Sequence, residues 1–154
     1  MSEARIRLGV PTDDEQVARL CEALWPESSW KEHREEMTPI LVGKPRATLP
    51  SVIFVAELTD GTLVGFLEVG LRSHADGCDT RHPVGFVEGW FVKESLRRRG
   101  VGAQLLAAAE DWARSQGCVE MASDTWIDSS LSQRVHEMLK FEVVDRCVHY
   151  RKAL

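Results

Sequence analysis

Val87-Glu88-Gly89-Trp90-Phe91-Val92 and, a few residues later, Arg97-Arg98-Arg99-Gly100-Val101-Gly102 decide the reading of this chain. The first run closes an apolar stretch from Val84 to Val92 that predicts a strand. Lys93 to Gly102 is a basic, glycine-containing turn. Val101, Leu105, Ala108, Trp112 and Ala113 then mark one face of an amphipathic helix, which Gly117 is placed to end. A helix N-terminus offers unpaired amides and partial positive charge, which suit a phosphate or pyrophosphate. The glycines let backbone approach such an anion and the arginines add charge. Neither G-x-x-x-x-G-K-[ST] nor G-x-G-x-x-G is present, so the P-loop and nicotinamide-binding readings are disfavoured.

Working outward, Arg5 to Val10 predicts a short strand. Thr12-Asp13-Asp14-Glu15 has the form of a capping box between Thr12 and Glu15. The helix behind it carries Val17, Leu20, Cys21 and Leu24, and Pro26 stops it. Ser28 to Val42 predicts a second helix, and Gly43 to Pro50 a loop. Val52 to Leu58 and Leu63 to Arg72 predict strands joined at Asp60-Gly61, a strong hairpin signal. Ser73 to Pro83 is a loop. Past the central helix come a strand from Glu120 to Asp124 and a helix with Val135, Met138 and Leu139 on its apolar face. A last strand is expected from Glu142 to Tyr150. The expected architecture is an α/β (α+β) fold in one domain spanning residues 1–154. It has a mixed, mostly antiparallel sheet of about six strands flanked by about four helices on both faces.

Composition narrows the function classes. The chain has 154 residues, 44% of them hydrophobic and 28% charged, which suits one globular core. No tract approaches the roughly 18 apolar residues of a membrane span, and the start lacks the apolar core of a signal segment. A cytoplasmic protein without membrane contact is expected. Cys21, Cys78, Cys118 and Cys147 are scattered with no C-x-x-C pair, so neither a metal site nor a disulfide framework is expected. The net charge of −5 argues against nucleic acid and is compatible with a cationic ligand.

Arg97-x-x-Gly100-x-Gly102 after an apolar strand resembles the pyrophosphate signature of the GNAT superfamily of acyl-CoA-dependent N-acyltransferases. Further runs narrow the resemblance: Trp25-Pro26, Gly77-Cys78-Asp79, Glu120-Met121-Ala122-Ser123-Asp124-Thr125, Ser132-Gln133 with Val135-His136, Phe141-Glu142 and Tyr150-Arg151-Lys152. Together they are similar to the aminoglycoside 6′-N-acetyltransferases, from about Leu24 to Lys152. One departure is Lys140, which stands where the superfamily has a helix-ending glycine before the aromatic.

The resemblance implies acetyl-coenzyme A as co-substrate and direct attack of an amine on the thioester, without metal. Trp90, Phe91 and Val92 would pair with the pantetheine through backbone, with an N–H there polarising the acyl carbonyl. Arg97, Arg98, Arg99, Gly100, Val101 and Gly102 would hold the pyrophosphate. Glu88 and Asp124, on adjacent strands, would bind the cationic acceptor and accept its proton. Asp79 is a weaker acceptor-side candidate, and a turn-stabilising aspartate is the equal alternative. His136 is a candidate acid toward the leaving thiolate, set against a packing role. Trp25 is a candidate for stacking on a sugar, set against a core role, and Tyr150 for contacting substrate. The expected acceptor is the 6′-amine of an aminoglycoside, giving antibiotic resistance. Another amine (polyamine, peptide N-terminus or lysine) and a non-catalytic acyl-CoA-binding module are the alternatives. A homodimer is expected, with the last strand and the aromatic-rich early region as contact surfaces.

Overall fold

The computed structural model describes residues 4–44 and 49–154; the start, Met1 to Glu3, and the middle of the expected Gly43–Pro50 loop lie outside the described residues. The elements are β1 (Arg5–Leu8), α1 (Asp14–Leu24), α2 (Trp30–Leu41), β2 (Ser51–Glu57), β3 (Leu63–Arg72), β4 (Val84–Val92), α3 (Val101–Ser115), β5 (Met121–Ser123) and α4 (Ser130–Met138). The sheet runs β1-β2-β3-β4-β5. The first four strands pair antiparallel, and β5 joins β4 in parallel, as a strand–helix–strand crossover demands. At the Asp60-Gly61 turn, Gly61 takes φ +86° and the Thr62 amide donates to Asp60 Oδ1 at 2.9 Å. The expected mixed α/β fold is the one observed, with five strands among the described residues instead of about six.

Helices cover both faces. Val17, Leu20 and Cys21 of α1 and Met37 and Ile40 of α2 pack on Ile53, Val55 and Phe66. On the opposite face Val101, Leu105, Leu106 and Ala109 of α3 pack on Val64, Leu67, Val69 and Val87. Central β3 is therefore apolar on both sides, each large side chain contributing about 1.5–3 kcal/mol through burial. Glu68, 2% exposed, is the exception in that strand.

Local chemistry departs from expectation at three places. The Thr12–Glu15 box does not form. Asp13 caps instead, accepting from the Val10 amide at 2.8 Å, while Glu15 pairs with Arg19 one helical turn on. The box occurs at α2, where Ser29 Oγ accepts from the Glu32 amide and Glu32 accepts from the Ser29 amide at 2.6 Å. The Arg7 guanidinium fixes Asp13, bonding it at 2.7 and 2.9 Å and Glu57 at 3.0 Å, and so joins β1, β2 and the start of α1.

Glu142 to Tyr150, expected as the last strand, carries no regular structure. Val143, Val144, Val148 and Tyr150 are exposed there. A strand exists only where a neighbour takes its backbone hydrogen bonds, and the sheet places none beside this segment. Lys140 takes the left-handed conformation expected of a glycine, at φ +73°. The amides of Lys140 and Phe141 reach back to the Glu137 and His136 carbonyls at 3.1 and 3.0 Å, closing a Schellman cap on α4. A lysine there costs roughly 1 kcal/mol relative to glycine.

The Arg7 cluster makes stability depend on acid. The Arg7 hydrogen bonds hold the Asp13 carboxyl below its ordinary value near 3.8, outweighing the opposing effect of burial. A depressed carboxylate stabilises the fold above its unfolded pKa, and that share is lost as pH falls through the folded pKa. Asp13→Asn is expected to lower urea-unfolding stability by about 1–3 kcal/mol at pH 7. The gap to the parent should shrink as pH falls below the ordinary carboxylate value near 3.8 and through the lower folded one. A gap that stays constant as the solution is acidified would show that the Asp13 charge does not contribute.

Candidate functional site

The site begins with a fault in the sheet. Between β3 and β4 the register shifts: Gly89 stands opposite Glu68 and Val87 opposite Val69, leaving Glu88 as the extra residue of a β-bulge. The parallel ladder to β5 covers only Gly85, Phe86 and Val87, against Met121, Ala122 and Ser123. Beyond Val87 the two strands part company, and no described strand lies beside Glu88–Val92 on that edge. Trp90, Phe91 and Val92 thus leave backbone groups that an extended ligand could pair with.

The same edge leads into the basic turn. Arg98 and Gly100 both adopt positive φ, 61° and 82°, which swings the chain into α3. The first backbone bond of that helix runs from the Gln104 amide to the Gly100 carbonyl at 3.0 Å. The amides of Val101, Gly102 and Ala103 therefore lie in the turn that has no intrahelical acceptor. The three arginines divide. Arg97 donates from Nε to the Val92 carbonyl at 2.8 Å and sits over the Phe91 ring, so it ties the turn to β4. Arg98 and Arg99 are exposed. The Trp90 ring lies against Gly102, joining strand edge and helix start.

On the face of the sheet covered by α1 and α2, the bulge meets Trp25, the residue that ends α1. A Cβ on Gly89 would lie within 2.4 Å of the Trp25 ring, so only glycine admits this contact. The ring also packs edge-on against Phe66, and the buried His33 ring lies 6.0 Å away. His33 Nε2 is 2.9 Å from the Trp25 carbonyl oxygen; a carbonyl only accepts, so Nε2 carries the proton. Trp25 is thus a fixed, partly buried ring at the edge of the core, with packing and contact roles both open to it.

Glu88 is held by Arg72, whose guanidinium donates to its carboxylate at 2.9, 3.0 and 3.1 Å. Asp124 is the residue after Ser123, the partner of Val87, so it falls level with Glu88 just past the end of the ladder. Asp79 is committed elsewhere. Its amide donates to Glu120 at 2.7 Å, and its carboxylate binds Arg81 at 2.6–3.1 Å; those Arg81 bonds hold it below its usual range. That is the turn-stabilising alternative. Nearby Cys78 has its thiol pushed up, first by burial and then by the Glu120 and Asp76 charges, which disfavours a thiolate nucleophile.

His136 projects from α4 toward β5. Its Nδ1 lies 2.7 Å from the Ser132 carbonyl and its Nε2 2.8 Å from Ser123 Oγ. The carbonyl fixes the proton on Nδ1, leaving Nε2 to the serine hydroxyl. The ring also meets Trp90 and Phe141 edge-on at 5.7 and 5.2 Å. The structure therefore brings Trp90 and His136 together on the α3 face of β4, and sets Glu88, Arg72 and Phe86 on the face that also carries Trp25, with Asp124 at the mouth of the parting of β4 and β5. Tyr150 stands 93% exposed on the irregular tail and is not gathered with them.

Sequence reading missed Arg72, Ser123 and Glu68. Glu68 had a signal: it is the lone carboxylate in an otherwise apolar strand. Arg72 and Ser123 had none, because each matters only through a partner 16 or 13 residues away.

Comparison with known proteins gives a consistent picture. The model of the Acetyltransferase (GNAT) family matches residues 17–141. The chain is 45% identical over 133 residues to the Aminoglycoside N(6')-acetyltransferase type 1 of Serratia marcescens, covering 86% of this chain and 87% of that protein. It is 41% identical over 134 residues to the protein of the same name from Klebsiella aerogenes, covering 87% and 86%. A solved structure of AAC(6')-Iy in complex with the bisubstrate analogue CoA-S-monomethyl-acetylneamine superposes with a TM-score of 0.86 at 38% identity, covering 99% of this chain and all of that one.

The Gly89–Trp25 contact can be tested directly. Gly89→Ala should displace the Trp25 ring, shift tryptophan emission and cost about 1–3 kcal/mol through overpacking. Emission and melting temperature both matching the parent would mean that the ring has room to yield.

Proposed function

Since the chain belongs to the GNAT acetyltransferase family, we propose that it transfers the acetyl group of acetyl-coenzyme A to the 6′-amine of an aminoglycoside, protecting a cell from the drug. The observation that carries the reading is the parting of β4 and β5 after Val87, next to a helix start with free amides. The pantetheine arm fits the edge Trp90–Val92 as an added strand. The pyrophosphate fits the amides around Gly100, Val101 and Gly102, with charge from Arg98 and Arg99. Arg97 contributes by holding the turn. Residues 1–154 act as one catalytic domain.

The amine nitrogen attacks the acetyl carbonyl carbon. A β4 backbone N–H stabilises the oxyanion, where a donor in place before reaction is worth several kcal/mol. The N–C bond forms, the C–S bond breaks, and the nitrogen sheds a proton to Asp124 or Glu88, directly or through water. The thiolate takes its proton from His136 in the imidazolium form: Nε2–H passes to Ser123 Oγ as the serine O–H passes to the thiolate, which leaves the neutral ring with its proton on Nδ1, to be recharged from solvent. Trp25 offers a ring to the sugar face. Asp79 serves the cleft indirectly, by holding its loop to Glu120 and Arg81. Acetyl-coenzyme A supply places the reaction in the cytoplasm.

We also infer that the chain works as a homodimer. Val143, Val144, Val148 and Tyr150 on the tail, with Leu131 and Met138 on α4, are large apolar side chains left exposed over the last quarter of the chain, surface that a second copy would cover. A second copy would supply the missing strand neighbour, and Tyr150 would then reach a site through its partner. Sedimentation equilibrium should give twice the chain mass at micromolar protein, and removal of residues 142–154 should yield monomer. A monomeric parent chain would overturn this.

Free-thiol release from acetyl-coenzyme A tests the activity. Kanamycin and tobramycin, which carry a 6′-amine, should react rapidly, and paromomycin, with a 6′-hydroxyl, very slowly. Release only with spermine or a lysine peptide would move the substrate to another amine. Gly100→Val forces a β-branched residue into the left-handed region and should raise the KM for acetyl-coenzyme A at least about tenfold. A KM unchanged in that variant would remove this turn from the binding site.

A further inference from the structure

Glu88 does not offer a bare carboxylate. Arg72, half-exposed at the end of β3, donates from Nε and Nη2 to Oε1 at 3.1 and 2.9 Å and from Nη2 to Oε2 at 3.0 Å. Its guanidinium carbon lies 3.4 Å from the centre of the Phe86 ring, on the same face of β4. The guanidinium is thus held between carboxylate and aromatic ring, a planar fork already in position. An ionised carboxylate has about four acceptor directions. Three are occupied by Arg72, and the remaining one lies on Oε2.

The charge balance bears on the nucleophile. An ammonium has no lone pair and cannot attack a thioester. A bare carboxylate beside it would stabilise the ammonium and hold the acceptor in its unreactive form. The Arg72–Glu88 pair is electrically neutral, and it sets a fixed positive charge close to any nitrogen bonded to Oε2. The other titratable or charged groups on the elements around this point include Glu68 on β3, His33 on α2, Glu22 near the end of α1, His74, Asp76, Cys78, Asp79, Arg81 and His82 in the loop after β3, and Glu120 and Asp124 on either side of β5. Of these, Asp79 and Arg81 neutralise each other and Glu22 accepts from the Trp30 amide.

Resting on the amine-acetylation reading above, we propose that Arg72 is a positioning residue that makes the acceptor subsite select the neutral amine. The amine donates one N–H to the free direction on Glu88 Oε2. The Arg72 charge disfavours the ammonium, whose proton leaves to solvent as the acceptor binds. Asp124 is then left to take the second proton, the one the nitrogen sheds after attack.

Calorimetry of tobramycin binding to the coenzyme A-loaded enzyme, in two buffers of different ionisation enthalpy, counts the protons released. Between pH 7 and 9 the parent should release more protons than Arg72→Gln, and the pH at which the bound amine is half-deprotonated should rise by about one unit in the variant. Arg72→Gln should also bind the drug several-fold more tightly at pH 7 while its kcat falls. Arg72→Lys, which keeps the charge, should track the parent. Equal proton release by parent and Arg72→Gln would overturn the proposal, as would Arg72→Lys behaving like Arg72→Gln. Melting temperatures check that the variants fold. If the parent released no thiol with any 6′-amino drug, the substrate reading would fall, while the same proton count on bound spermine would still decide the role of Arg72.

Discussion

Glu88 has no cross-strand partner, and the site is built around that mismatch. Inserting one residue into β4 against β3 bends the strand and strengthens its local twist. The consequence appears on the other side of β4, where the parallel ladder to β5 ends after Val87. A sheet that stays fully paired has no interior edge to offer. Here the backbone of Glu88–Val92 becomes such an edge, flanked by packed elements rather than exposed at the sheet's outer limit. The bulge thereby places a carboxylate, a ring contact and an open strand edge within one short segment.

The two halves of the site rest on different physics. The coenzyme half uses mainly backbone: amides at the start of α3 and along β4, with Gly100 and Arg98 setting the turn. Backbone donors depend little on the side chains that carry them. The acceptor half uses side chains from separate elements: Trp25 at the end of α1, Arg72 on β3, Glu88 on β4 and Asp124 past β5. Arg72, Glu88 and Asp124 can be exchanged without disturbing the fold, since an exposed ion pair such as Arg72–Glu88 contributes only about 0–1 kcal/mol to stability, while Trp25 is tied to the core by its packing on Phe66. Substrate choice is therefore free to change while the coenzyme site stays intact.

This division explains what could be read from the sequence. The strand, basic turn and helix are contiguous, so Val84 to Gly117 was legible from periodicity and glycine placement. The hairpin at Asp60-Gly61 was legible for the same reason, being settled within a few residues, while Lys140 stood out only through the resemblance, which puts a glycine there. The Thr12–Glu15 box failed because Thr12 lies inside the short 3-10 turn Pro11–Asp13, which leaves Asp13 at the start of α1. The tail failed because its alternation describes what a strand would bury, not whether a neighbour is present. Glu88 was legible as a carboxylate beside the key strand, but its state was not. Arg72 lies 16 residues earlier, and only the β3–β4 register brings the two together.

Charge acts on this protein at two ranges, with opposite demands. The net charge of −5 favours the approach of a polycation, an effect that reaches about one Debye length, roughly 8–10 Å. Approach is helped by every positive charge the acceptor carries. Reaction requires that one particular nitrogen lose its charge. A site that attracted cations equally well at contact would hold that nitrogen in its unreactive form, so affinity would grow at the expense of rate. Neutralising Glu88 with Arg72 separates the two tasks: the protein's outer field concentrates the charged drug, while the pair at the bulge gives no reward for the last positive charge.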